Sequence, residues 1–159
     1  MMSNWLKRSG RVVLTGVAAV AIGGALAPAA MASPSAPSVS VTPNNDLTDG
    51  AVVTVSSSGF AANAQAAAVE CATPSGGTEL CDLEHAAVYQ SNAKGDGTTP
   101  FTVHRQWTGT DPLTGKVVGP VDCATVASGC VVGVTDANRQ TATAQIAFRK
   151  TATTTIASH

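Results

Sequence analysis

The sequence predicts an all-β domain, an antiparallel sandwich of immunoglobulin-like type. Short runs of alternating apolar and polar residues recur at regular spacing, and each is bounded by residues that favour turns. No segment carries the 3.6-residue periodicity of an amphipathic helix.

The chain opens on a different signal. Lys7, Arg8 and Arg11 flank a nearly unbroken apolar run from Val12 to Leu26, and Ala30-Met31-Ala32 fits an A-x-A cleavage site. Residues 1–32 are therefore expected to be a secretory signal peptide. The run is shorter than the roughly 20 apolar residues of a membrane-spanning helix, which argues against an anchor. Cleavage after Ala32 leaves 159 − 32 = 127 residues, enough for one hydrophobic core. The domain is expected over 33–150, followed by a disordered tail over 151–159 whose TATTTIASH has no partner pattern.

The expected strands follow in order. Val39 and Val41 alternate with Ser38, Ser40 and Thr42, PNNDLTDG makes a turn, and AVVTVSSSGF resumes the two-residue period. Further runs are AQAAAVEC, HAAVYQS, TTPFTVHRQW, GCVVGVTD and TATAQIAF, separated by NAKGDG, TGTDPLTGK and DANRQ, all rich in turn formers. Ala61 to Val69 is alanine-rich and tempts a helical reading. Gly59 before it and Thr73-Pro74 after it favour a strand. Only Phe60, Tyr89, Phe101, Trp107 and Phe148 are aromatic after the signal, so valine and alanine must supply most of the core.

Charge excludes one class of partner. Without the signal the chain keeps six basic side chains against ten acidic ones, a net charge of −4. That is the wrong sign for gripping a phosphate backbone. Nothing else in the mature segment is long and apolar enough to span a bilayer, so the product is expected to be extracellular, free of membrane and monomeric.

Export places the four cysteines in an oxidising compartment, where bridges are expected. Four cysteines allow three connectivities, and proximity in CATPSGGTELC and CATVASGC favours Cys71–Cys81 and Cys123–Cys130. Each small loop closed in this way removes about 2.5 to 3 kcal/mol of unfolded-state entropy in the chain-entropy model. A metal site is not expected: neither pair has C-x2-C spacing, and His85 and His104 are not placed in sequence as partners.

Other polar residues have ordinary readings. Arg105 and Trp107 are expected on one strand face, where arginine supports the ring from solvent. Asp82, Glu84 and His85 read as a solvated turn. Ser56 to Ser58 lie in no G-x-S-x-G elbow, and no spaced His and Asp complete a triad. Catalysis is not expected.

The ordered series VSVTPNNDLTDGAVVTVSSSGF, Cys-x9-Cys, FTVHRQWTG, GPVDC, VGVTDA and AQIAF resembles the neocarzinostatin family from about Val39 to Phe148. The resemblance implies a seven-stranded immunoglobulin-like sandwich beside a small disulfide-bridged ribbon, the two framing a cleft. It also implies a secreted carrier, not an enzyme, holding a labile, non-covalent enediyne chromophore whose release damages DNA. DNA is then a partner only through the chromophore, and no other cofactor is implied. CATPSGGTELC becomes one wall of the cleft, and Asp122 of the VDC motif a structural residue.

Carried over position by position, the resemblance places Thr73, Glu79, Leu80, Ala86, Leu113, Val131, Gly133 and Thr135 at the ligand. Thr73 stands where the family pattern has a ligand-facing tryptophan, Ala86 where it has phenylalanine, and Val131 where it has glutamine. Glu79 occupies an apolar position, with Leu80 its substitute if the ribbon shifts register, and Leu113 is the one apolar candidate in TDPLTGK. Most stacking aromatics are thus missing. Either the groove takes a different ligand, or the protein is a secreted interaction module of the same fold that binds no enediyne. An apolar pocket between ribbon and sheet favours the carrier, whereas a groove filled by its own side chains favours the module.

The charge balance makes one outcome testable without any ligand. Ligand-free protein is expected to show no tight, salt-sensitive binding to duplex DNA in a filter-binding or anisotropy titration at physiological salt.

Overall fold

The computed structural model describes residues 35–75 and 77–150. The expected signal peptide and the C-terminal tail lie outside the described residues. Ten strands follow in order: β1 (Ser38–Thr42), β2 (Ala51–Ser58), β3 (Gln65–Ala72), β4 (Leu80–Cys81), β5 (Ala87–Gln90), β6 (Gly97–Val103), β7 (Gln106–Thr110), β8 (Val117–Asp122), β9 (Cys130–Asp136) and β10 (Thr141–Ile146).

They form two antiparallel sheets. One has the order β1-β2-β6. The other runs β10-β9-β3-β4-β7-β8, with β5 also paired to β3. Strand β3 is the hub of this second sheet. One of its edges pairs with β9 from Ala66 to Ala72, while the other is divided between β5 at residues 65–68 and β4 at residues 71–72. Strands β1, β2 and β6 with β3, β5, β9 and β10 make the seven-stranded immunoglobulin-like sandwich, and β4, β7 and β8 make the ribbon region.

Alternation along each strand supplies the core. Val53 and Val55 on β2, Phe101 and Val103 on β6, Ala66 and Ala68 on β3, and Val132 and Val134 on β9 all point inward and are buried. They join Leu47, Phe60, Trp107, Ile146 and Phe148 in one cluster. The Ala-rich segment is a strand, as its flanks require. Between the sheets, Tyr89 of β5 donates its hydroxyl to Ser57 Oγ of β2 at 2.7 Å. Gly97 makes room for that ring, since a Cβ there would sit 2.3 Å from Tyr89 Cε2.

Two expected elements differ. TTPFTVHRQW is not one strand: β6 ends at Val103, β7 starts at Gln106, and the chain leaves the three-stranded sheet for the ribbon between them. TGTDPLTGK is not all turn, because Thr108 to Thr110 continue β7 and Lys116 immediately precedes β8. Strands β4 and β8 have no counterpart among the expected runs. The first is two residues long, and the second carries Gly119 and Pro120, which read locally as a turn.

The crossing at His104 and Arg105 breaks the ladder and leaves two backbone amides to satisfy. His104 N–H donates to Glu70 Oε2 at 2.9 Å, and Arg105 N–H to Asp49 Oδ1 at 2.8 Å. Glu70 occupies an inward position of β3 and is fully buried. Its Oε1 lies 3.2 Å from Cys123 Sγ, which also accepts the Trp107 indole N–H at 3.3 Å. Cys123 is bridged to Cys130, and a disulfide sulfur carries no proton. The contact is therefore a hydrogen bond when the carboxyl is protonated and its O–H donates. Burial pushes Glu70 up to about 8; repulsion from Asp82 and Asp49 adds to the rise, and donors from His104 and Trp107 oppose it.

This has a signed consequence for stability. The unfolded carboxyl titrates near 4.5 and the folded one near 8. Between those values the folded state holds a proton that the unfolded state has released, so stability falls as pH rises through the window, by up to about 1.4 kcal/mol per pH unit. Glu70→Gln keeps an acceptor for His104 N–H and removes the titration. Urea unfolding of this variant is expected to show a flatter pH profile between those limits, and a slope equal to that of the parent would show that Glu70 is not the group responsible.

Candidate functional site

Both disulfides pair neighbouring cysteines, Cys71 with Cys81 and Cys123 with Cys130. The first joins directly opposed residues of β3 and β4. It ties the ribbon to the hub strand on the outer face of the larger sheet, opposite the core. On that face β3 presents Val69 and Cys71, β9 presents Val131, Gly133 and Thr135, and β10 presents Thr141 and Thr143. The register lines them up as Val69–Gly133–Thr143 and Cys71–Val131–Gln145 across three strands.

Above this floor lies an open cleft of about 620 Å³, within the range of small-molecule sites. Val69, Gly133, Thr135, Thr141 and Thr143 form its base, Glu79 and the Cys71–Cys81 bridge one wall, and Pro112 and Leu113 of the β7–β8 loop another. Arg139 stands at the β9–β10 turn. The lining is apolar or hydroxyl-bearing, with Glu79 and Arg139 its two charges. Gly133 sets the depth of the floor. A Cβ added there meets only ordinary contacts, Thr143 Cγ2 at 3.7 Å and Val69 O at 3.9 Å, so a larger side chain would project into the cleft and leave the sheet undisturbed.

The two turns beside the cleft are held by carboxylates. Asp136 Oδ1 accepts the N–H groups of Asn138 at 2.9 Å and Gln140 at 3.0 Å, and Oδ2 accepts Ala61 N–H at 3.0 Å. Burial raises its pKa, but these amides outweigh burial and hold the carboxyl below its usual value. Arg139, at φ 61°, is positioned by that turn. Asp111 does the same for the other loop, accepting Leu113 N–H at 2.8 Å, and its pKa is lowered chiefly by that bond. Leu113 is thereby presented at the rim with 91% of its surface exposed. Asp122 Oδ1 accepts Ala124 N–H at 2.9 Å and holds the turn inside the second disulfide loop.

Of the residues expected at the ligand, Glu79, Leu113, Gly133 and Thr135 line the cleft. Four do not. Leu80 is buried in the core, because β4 turns its even residue inward and leaves Glu79 on the outside. Thr73 is exposed beyond the end of β3, its carbonyl accepting from Ser128 Oγ at 2.9 Å. Ala86 borders a separate depression beside Pro100 and Phe101. Val131 shares the floor's face but does not line the cleft, although Cys71 beside it in the same row does. Val69, Pro112, Arg139, Thr141 and Thr143 were not expected, although alternation in AQAAAVEC and TATAQIAF marks the outward residues of β3 and β10.

Three other readings change. Asp82 is buried rather than in a solvated turn, and its Oδ2 lies 2.8 Å from His85 Nδ1. His85 and His104, unrelated by spacing, stand with ring centroids 4.3 Å apart. Arg105 lies outside β7 and donates from Nε to Asp122 Oδ1 at 3.3 Å, while Trp107 is buried.

The neocarzinostatin family model matches residues 39–148, from the second residue of β1 to beyond the end of β10. The chain belongs to the neocarzinostatin family. It is 40% identical over 110 residues to apokedarcidin of an actinomycete species, covering 69% of this chain and 96% of that protein. It is also 40% identical over 118 residues to the antitumor antibiotic C-1027 apoprotein of Streptomyces globisporus, covering 74% of this chain and 81% of the relative. Among solved structures it resembles macromomycin, with a TM-score of 0.65 at 29% identity over 72% of this chain and all of that one. The neocarzinostatin-type frame is therefore shared.

The bridge on the cleft wall gives a measurable expectation. Replacing Cys71 and Cys81 together by alanine should lower unfolding free energy by about 2–4 kcal/mol, read by urea denaturation. An unchanged midpoint would mean that β3–β4 pairing alone holds the ribbon.

Proposed function

We propose that this protein is a secreted carrier that binds a small, labile antibiotic chromophore of enediyne type without covalent attachment and protects it in the cleft. The observation that carries this reading is the open apolar groove between ribbon, loop and sheet, which the protein's own side chains leave unfilled. Family membership and the apoprotein relatives support it. In this reading residues 1–32 direct export and are removed, the mature protein is an extracellular monomer, and DNA is reached only by the released chromophore.

The lining suits holding more than reacting. It offers threonine hydroxyls, one carboxylate and one guanidinium, but among the described lining residues no histidine, lysine or free thiol with which to pair a nucleophile and a base. Exclusion of water and thiols needs burial and a preformed shape. With Gly133 and Val69 at the base, a flat aromatic group can approach the backbone of β9 closely. Thr135, Thr141 and Thr143 supply hydroxyls along one side, and Leu113 covers the other. A ligand that brings its own aromatic surface fits this floor better than one that needs a protein ring to stack on.

Gly133→Phe fills the floor while leaving the core side of β9 untouched. Fluorescence titration with a panel of polycyclic aromatics should show binding to the parent and to Lys94→Ala on the remote NAKGDG turn, and at least about tenfold weaker binding to Gly133→Phe. Native mass spectrometry of protein from its producing culture should show a non-covalent adduct absent from recombinant protein. Equal affinities for parent and Gly133→Phe, together with no adduct, would leave the interaction module as the better reading.

A further inference from the structure

Away from the cleft, where β4 leads towards β5 and β6 crosses to β7, the fold gathers one carboxylate and two imidazoles. Asp82 Oδ2 is 2.8 Å from His85 Nδ1 and 3.8 Å from His104 Nδ1, and the three ligand atoms all lie within 4.8 Å of one another. Three donors on a tetrahedral ion with bonds of 2.0–2.1 Å stand roughly 3.3 Å apart. The observed spacings straddle that value. A second observation points the same way: His104 Nδ1 is buried and has no hydrogen-bond partner. A buried ring nitrogen without a partner is costly, and a cation between it and Asp82 supplies the missing interaction.

We infer that Asp82, His85 and His104 form a binding site for one divalent transition-metal ion, with zinc the best match. Two imidazoles and a single carboxylate suit zinc better than calcium or magnesium, which require oxygen donors throughout. The Asp82 carboxylate is buried, its side chain 3% exposed, and His104 is held at the crossing by the hydrogen bond that its backbone N–H donates to Glu70. His85, 46% exposed, is the movable member. The ion takes the place of the proton shared between His85 Nδ1 and Asp82 Oδ2, and that proton is released to solvent. The fourth coordination position is open to water, because a depression of about 360 Å³ adjoins both histidines. The other His, Cys, Asp and Glu groupings among the described residues contain disulfide sulfurs, which are poor ligands.

The site is independent of the chromophore reading and is tested without any organic ligand. Protein with both disulfides intact is titrated with zinc against a chromogenic chelator, and cobalt(II) uptake is followed by its visible absorption. The expected result is one equivalent bound at micromolar zinc, intense tetrahedral cobalt bands, and affinity lowered about 100-fold or more in both His85→Ala and His104→Gln. His159→Ala, which removes the remaining histidine, should bind as the parent does. The exposed position of His85 makes its variant a safe partner to the more buried one, and thermal unfolding verifies that each is folded. No uptake by the parent at micromolar metal, uptake unchanged in folded His85→Ala, or uptake lost in His159→Ala would each overturn the assignment.

Discussion

The hydrogen bond from the His104 amide to the buried Glu70 carboxyl is the constraint on which the rest of the arrangement depends. An immunoglobulin-like sandwich keeps its strands within two sheets, but this chain must send β6 out of one sheet and into a ribbon attached to the other. The crossing breaks a ladder in the interior, and an unsatisfied amide there costs about 1–3 kcal/mol. Glu70 removes that cost from the opposite side of the core. Its other oxygen meets the Cys123 sulfur, which in turn receives the Trp107 indole. One side chain thus fastens β3, the crossing, β7 and the disulfide loop between β8 and β9.

From that anchor the cleft follows by geometry. The crossing launches β7, and β7 with β8 carries the loop that holds Leu113. Strand β4 pairs with β3 on one side and with Thr110 of β7 on the other, so the ribbon wall is fixed from both directions. The floor needs no separate construction. Strands β3 and β9 bury one set of residues, and the residues between them face outward by the two-residue period of the strand. Core and cleft are the two faces of the same backbone.

Much of this was legible in the sequence. Period-2 runs gave most of the sandwich strands, local cysteine spacing gave both bridges, and the order of motifs gave the family. The failures were non-local. His85 and His104 are separated by β5 and β6, so nothing in their spacing announces that they meet. Glu70 alternates in phase with Ala66, Ala68 and Ala72 and so sits at an inward position, but a carboxylate in a strand is ordinarily read as solvated. Leu80 was considered for the cleft because position-by-position transfer ignores which way a two-residue strand turns. The outward position belongs to Glu79 beside it. Val69, Thr141 and Thr143 become visible only when the β3–β9–β10 register is known.

The shared backbone of core and cleft has a dynamic consequence. Amides of Val132 to Val134 lie in the middle strand between β3 and β10, where opening requires disruption of the sheet itself. The rim at residues 112–116 is exposed, and its loop is closed by the side chain and backbone of Asp111 and by Thr114, with no packing into the core. On the carrier reading, a molecule in the groove would rest on a base that opens only with the sheet, under an edge formed by an exposed loop. In that reading its residence time would be set by the edge, and the stability of the domain and the escape rate of a cargo could vary independently.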